Sequence, residues 1–170
     1  MTGDKTVPVL YCDIDGTIRH GKDELGHFVN EAKDVVIFDG VEELLWAYRA
    51  LGWRIVGVSN QAGIGLGYMS EETCKAAMDK TNELTKYAFD EILWCPHKPD
   101  AGCKCRKPRA GLVHMARLLL AQRTGEIYTS NKALFVGDRP EDEECANNAH
   151  INFMWAHHWR EGKQFEEATV

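Results

Sequence analysis

The chain has 170 residues, 44% of them hydrophobic and 27% charged, which is the composition of an ordinary globular domain and not of a disordered tail. Twenty Lys and Arg against 26 Asp and Glu give a formal charge of −6, which excludes affinity built on broad contact with nucleic-acid phosphates but leaves room for a small basic pocket. No apolar run nears the ~20 residues of a membrane span, and MTGDKTVPVL lacks the charged start and apolar stretch of a secretion signal, so a cytoplasmic protein without membrane contact is expected.

Residues 7–12 (VPVLYC) form an apolar run that ends in Asp-Ile-Asp-Gly, the pattern of a buried strand feeding a loop. Residues 19–38 are polar, with a brief extended piece expected at 27–29, and suit a small flap. Residues 41–51 place Val41, Leu44, Leu45, Tyr48 and Leu51 at helical spacing, and Gly52 is a stop signal. RIVGVS at 54–59 reads as a second strand. Ser70 caps a helix whose first turn carries Glu71 and Glu72 and whose inner stripe is Cys74, Ala77, Met78, Thr81 and Leu84. EILWC at 91–95 is a third strand. Pro108 is a candidate helix opener, with Leu112, Met115, Ala116 and Leu119 facing inward. ALFV at 133–136 is a fourth strand, 140–149 a helix, and 151–155 a fifth strand. The tail is polar except for Trp159 and Phe165.

Strands alternate with helices throughout. The expected fold is therefore α/β and Rossmann-like, a mainly parallel sheet with helices on both faces, in one domain spanning 1–170. In such sheets the site lies beyond the carboxyl ends of the strands. The reactive residue types collect there: Asp13 and Asp15 after the first strand, Ser59 and Asn60 after the second, and Asp138 after the fourth.

Each cluster has a chemical use and a bland alternative. In Asp13-Ile14-Asp15-Gly16-Thr17 one carboxylate suits nucleophilic attack and cation binding while the other moves a proton, although Asp and Gly also simply make turns. Asp138, in Gly137-Asp138-Arg139-Pro140-Glu141-Asp142, suits a hard cation such as Mg²⁺, with Asp142 assisting; the same residues also make an ordinary helix start. Ser59-Asn60-Gln61 followed by Ala62-Gly63-Ile64-Gly65 offers a hydroxyl and backbone N–H groups to a phosphate. Arg106 and Lys107 offer cations for phosphoryl oxygens, although surface Arg-Lys pairs are commonly only solvated.

Of six cysteines, Cys12, Cys74 and Cys145 sit in apolar patterns and read as small buried hydrophobes. Cys95, Cys103 and Cys105 cluster with His97. Three thiolates and one imidazole suit tetrahedral Zn²⁺ with no open position, hence a structural ion that shapes loop 95–105 and delivers Arg106 and Lys107. The alternative, free thiols in a loop, is disfavoured because Pro96, Pro99 and Gly102 leave little apolar surface to bury them.

Taken together, DIDGT, SNQ, KP and GDRPED in this order resemble the haloacid-dehalogenase-like phosphatases over residues 7–155. The Cys95-Pro96-His97 and Cys103-Lys104-Cys105-Arg106-Lys107-Pro108 segments, with Phe38-Asp39-Gly40-Val41, resemble the zinc-containing branch, subfamily IIIA, which includes heptose bisphosphate and histidinol phosphatases. That resemblance implies Asp13 as a nucleophile that becomes an aspartyl-phosphate and Asp15 as general acid and base. It implies Ser59, Asn60, Arg106 and Lys107 on the phosphate, and Mg²⁺ on Asp13, the Asp15 backbone carbonyl and Asp138. The expected enzyme is a monomer that hydrolyses a small phosphorylated metabolite of the sugar-phosphate or histidinol-phosphate type. Two alternatives remain open. Asn60, Gln61, Gly63, Ile64 and Gly65 also match polynucleotide 3′-phosphatases, which act on nucleic-acid ends, and the same fold can serve as an inactive zinc-stabilised binding module. Residues 18–40 are too few for a cap domain, so an open site with a flap at 19–38 is expected. His20, His27, His157 and His158 have no assigned role.

Overall fold

The computed structural model describes residues 6–22 and 29–162. Its centre is a five-stranded parallel sheet in the order β5-β4-β1-β6-β7, formed by β1 (Val9–Cys12), β4 (Arg54–Asn60), β5 (Glu91–Cys95), β6 (Ala133–Gly137) and β7 (Asn152–Trp155). Strand β1 pairs with β4 on one side and with β6 on the other. The chain thus builds outward from β1 in one direction and then in the other, and the reversal leaves a crevice at the carboxyl end of β1.

The sheet is apolar on both faces because helices cover both. Val9 and Tyr11 pack with Val56, Val58 and Phe135 against α4 (Gly111–Thr124) and α5 (Pro140–Asn148). Leu10 and Cys12 point the other way, and pack with Ile55, Leu134 and Val136 against α1 (Val41–Ala50), α3 (Glu71–Leu84) and α6 (Ala156–Arg160). Alternation along a pleated strand sends neighbouring residues to opposite layers, so β1 has four buried residues in a row. The Ser70 hydroxyl caps α3 by accepting from the Thr73 N–H at 3.1 Å, as expected of Ser before an acidic first turn. Cys12, Cys74 and Cys145 are buried among apolar neighbours.

Within 19–38, strands β2 (Arg19–His20) and β3 (Val36–Ile37) pair antiparallel, and Val29 and Val35 pack on Ala77 of α3. His27 and Phe28, in the extended piece expected at 27–29, lie outside the described residues, as does Phe165. Among the described residues, no helix is long and apolar enough to cross a membrane.

Four expectations need correction. Leu51 follows α1 and is 76% exposed, because the turn that Gly52 closes carries it off the inner stripe. Leu112, Val113, Ala116 and Leu120 are the buried face of α4, while Met115 and Leu119 are partly exposed. The segment LVHMARLLL is apolar along two adjacent stripes, so periodicity alone does not choose between them. Pro108 does not open α4, which starts at Gly111. A helix opened by Pro108 would need the Lys107 carbonyl as its first acceptor. That carbonyl is taken by the Asn60 side-chain amide at 3.1 Å. The tail also forms a helix, α6, whose Trp159 is fully buried beneath α1 and the sheet. A five-residue helix is too short to register as periodicity and is held by that anchor.

Candidate active site

Asp13 directly follows β1, and its N–H donates to the Val136 carbonyl of β6 at 2.9 Å. This pins the residue at the sheet's crevice. Gly16, at φ +89°, lets the chain turn sharply under it, and a Cβ there would collide with the Asp138 carboxylate. That close approach brings Asp138 from the end of β6 to the loop that carries Asp13 and Asp15.

At the floor sits a buried ionic cluster. The Lys107 ammonium lies 2.6 Å from Asp13 Oδ1 and 2.7 Å from Asp142 Oδ1, and donates to the Val58 carbonyl at 2.8 Å. The second oxygen of Asp142 accepts the N–H groups of Asp138 and Arg139, both at 3.1 Å. Asp142 therefore caps the start of α5 and neutralises Lys107 with one side chain, so the helix-start and site readings of GDRPED both hold. The Asn60 side chain grips the backbone of Lys107 in both directions, accepting from its N–H at 2.9 Å. Asn60 lines the pocket, but its carboxamide positions Lys107.

Burial raises the Asp13 carboxyl pKa well above its ordinary value. Lys107 opposes this, and Asp142 and Asp138 add to it. For Lys107 burial disfavours the charge, yet Asp13 and Asp142 outweigh it and its pKa is raised. One oxygen from each of Asp13, Asp138 and Asp142 lies within 4.8 Å of the others, and the Lys107 ammonium pairs with Asp13 and Asp142 but not with Asp138. An all-oxygen donor set with one carboxylate left outside the lysine pairs fits a divalent hard cation.

Asp15 faces the same pocket. Its Oδ1 accepts from Arg19 Nε at 2.8 Å and its Oδ2 from Gln61 Nε2 at 2.7 Å; Gln61 Nε2 also lies 2.7 Å from the Ser59 hydroxyl. Thr17 Oγ1 lies 3.4 Å from Asp13 Oδ2. Arg160 of α6 donates to the Gly16 and Thr17 carbonyls and covers the Phe38 ring at 4.2 Å. Sequence reasoning gave Arg19 and Arg160 no role. The pocket holds about 720 Å³, and its lining includes Arg106 and Arg139 as well as the apolar Val29, Leu66, Tyr68 and Met69. Arg106 Nη1 is buried without a hydrogen-bond partner among the described residues. His20, His157 and His158 do not line this pocket; His20 packs on Phe38, and the rings of His157 and His158 lie 4.0 Å apart.

The cysteine cluster lies beside the pocket. Cys95 Sγ is 3.6 Å from Cys103 Sγ and 3.2 Å from Cys105 Sγ, and His97 Nδ1 is 3.4 Å from Cys95 Sγ and 3.2 Å from Cys105 Sγ. Thiolates around one zinc at ~2.3 Å would stand about 3.8 Å apart in a tetrahedron, so these four side chains need shift only by tenths of an ångström to hold the ion. The loop is tied to its surroundings through backbone. The Cys95 carbonyl accepts from the Gln61 N–H at 2.8 Å and the Pro96 carbonyl from the Gly65 N–H at 2.9 Å. A Cβ at Gly65 of α2 (Ala62–Gly65) would strike that Pro96 carbonyl, which explains glycine in the SNQAGIG turn.

Comparison with known proteins agrees with this geometry. Residues 8–159 match the model of the family described as polynucleotide kinase 3 phosphatase. The chain is 34% identical over 158 residues to a probable D-glycero-D-manno-heptose-1,7-bisphosphate 7-phosphatase of Thermoplasma acidophilum, covering 91% of this chain and 92% of that one. It is 32% identical to the corresponding Escherichia coli enzyme, over 86% of this chain and 77% of the relative. Among solved structures, the D,D-heptose 1,7-bisphosphate phosphatase of B. bronchiseptica, complexed with magnesium and phosphate, superposes with a TM-score of 0.70 at 26% identity, covering 86% of this chain and 79% of that one. A Pnkp1/Rnl/Hen1 complex shares the fold at a TM-score of 0.54 and 14% identity. With its sheet order, its aspartates at the end of β1 and these relatives, the chain belongs to the polynucleotide kinase 3 phosphatase family and is a phosphatase of the haloacid-dehalogenase type.

Proposed function

We propose that the protein hydrolyses a phosphorylated sugar through an aspartyl-phosphate, an acyl phosphate formed on Asp13. The observation that carries this is the buried Asp13–Lys107–Asp142 cluster, with Asp15 in the same pocket. Asp13 Oδ attacks phosphorus, the bond from phosphorus to the sugar oxygen breaks, and Asp15 gives that oxygen a proton. Water then attacks the phosphorus, Asp15 takes its proton, the bond to Asp13 Oδ breaks, and inorganic phosphate leaves. One hard displacement thus becomes two easier ones. Lys107, Arg106 and the Ser59 hydroxyl hold the phosphoryl oxygens, and Asn60 acts by fixing Lys107.

Asp13, Asp138 and the backbone carbonyl of Asp15 would hold Mg²⁺, whose chemistry is to neutralise charge between the attacking carboxylate and the anionic ester. Asp142, spent on Lys107 and two N–H groups, serves as a counter-charge. Cys95, His97, Cys103 and Cys105 would hold a structural zinc.

A sugar phosphate is favoured over a nucleic-acid end. Relatives at 34% and 32% identity are named as heptose bisphosphate phosphatases, whereas the Pnkp1/Rnl/Hen1 complex shares the fold at 14% identity; the polynucleotide kinase 3 phosphatase family model, which matches residues 8–159, is the reason for an oligonucleotide arm in the test. Arg139 on the pocket lining, beyond the groups that hold the transferred phosphoryl, suits a substrate with a second anionic group. The test is a panel of sugar mono- and bisphosphates against a 3′-phosphorylated oligonucleotide, with Mg²⁺ and with Asp13→Asn as control. Preference for a sugar bisphosphate is expected; faster release from the oligonucleotide would overturn this choice of substrate.

A further inference from the structure

We propose that Arg19 is a positioning residue for Asp15, tying the proton-transfer group to the middle of helix α3. The proposal rests on the proton-transfer role assigned to Asp15 above. Arg19 is 1% exposed although it carries a full charge. It lies in β2, at the end of the loop that Asp15 begins. That loop is closed by backbone bonds, from the Gly16 N–H to the Arg19 carbonyl at 2.9 Å and from the Arg19 N–H to the Ile14 carbonyl at 3.1 Å. The guanidinium works in two directions. Nε donates to Asp15 Oδ1 at 2.8 Å, and Nη2 lies 3.5 Å from Asp15 Oδ2. Nη1 donates to the Ala77 carbonyl at 2.9 Å and to the Thr81 hydroxyl at 2.8 Å. Thr81 is fully buried and itself donates to the Ala77 carbonyl at 2.7 Å, so the anchor on α3 is a closed set of hydrogen bonds.

A fork held at its far end by a helix fixes the plane of the carboxylate it grips, which one flexible ammonium does not. Gln61 grips the other Asp15 oxygen and reaches Ser59, a residue read above as a phosphate contact. The carboxylate is therefore held between the phosphate cradle and α3. Proton transfer demands this, since the acid must lie within hydrogen-bond reach of the departing oxygen. A merely structural Arg19 would pin α3 to the loop and do nothing selective for the proton.

Leaving-group dependence separates the two roles. A p-nitrophenolate departs with little help, whereas a phenolate without the nitro group needs the proton. For Arg19→Met, kcat/KM on phenyl phosphate should fall ~10-fold or more, and on p-nitrophenyl phosphate less than ~3-fold. Thr81→Val keeps shape and removes only the anchor hydroxyl; it should show the same ordering, at about 3-fold against no change, and serves if Arg19→Met folds poorly. In an Asp15→Asn background, adding Arg19→Met should leave the ratio of the two substrates unchanged. Equal losses on both esters, in either variant, would overturn the positioning role and leave Arg19 structural. Wild-type protein inert toward both esters would overturn the reaction itself and this role with it.

Discussion

Two regions of the molecule gather metal-ligand types, and they are built on opposite plans. The floor of the pocket assembles Asp13, Lys107 and Asp142 from three distant stretches of chain, with the exposed Asp138 beside them, and the buried charges already have protein partners. The cysteine cluster assembles four side chains from eleven consecutive positions, 95–105, whose sulfur and nitrogen atoms face one another. The contrast teaches what each ion does. The pocket keeps its shape through ion pairs and hydrogen bonds, so a cation there would supply chemistry. The loop's side chains have the edge of the core beneath them but no charged partners of their own, so an ion there would supply structure.

The largest expected effect attacks the pocket without touching the fold. Asp13→Asn should lower turnover by ~10³-fold or more. Its melting temperature should hold or rise, because one of three crowded carboxylates loses its charge; a variant that unfolds would show the cluster to be structural. Lys107→Met comes next. It strands Asp13 and Asp142 without their cation and should cost about 3–5 kcal/mol of stability together with ~10²-fold in activity, read by denaturant titration and steady-state kinetics. Removing magnesium with a chelator that spares zinc should abolish turnover and leave the circular dichroism spectrum unchanged.

On the other side of the contrast, Cys103→Ser should release zinc to a chromogenic chelator and lower stability and activity together, by ~10-fold in turnover. Full activity without bound zinc would separate the loop from the delivery of Arg106 and Lys107. The smallest effect is expected from Asn60→Ala. It frees the Lys107 backbone and should reduce kcat by roughly 5–10-fold at nearly constant melting temperature.

What could be read from the residue order follows from the same contrast. Strands β1, β4 and β6 are mainly apolar runs, so their ends, and with them Asp13, Ser59 and Asp138, were legible. The cysteine cluster was legible because it is local. Lys107 was visible only as part of a motif, since its partners Asp13 and Val58 lie 94 and 49 positions away. Arg19 was invisible for a related reason. Its spacing of four from Asp15 signals a pair only on a helix, and here the two meet across a turn, with the anchor on α3 some 60 positions later. The face of α4 was misjudged because Leu118, Leu119 and Leu120 are consecutive and equally apolar, and only the packed sheet selects Leu120.

The central claim is covalent chemistry at one carboxylate, and trapping tests it most directly. Crystals or NMR samples prepared with Mg²⁺ and beryllium fluoride should carry the trifluoride on an oxygen of Asp13, next to Lys107. An adduct on another side chain, or none at saturating reagent, would contradict the mechanism.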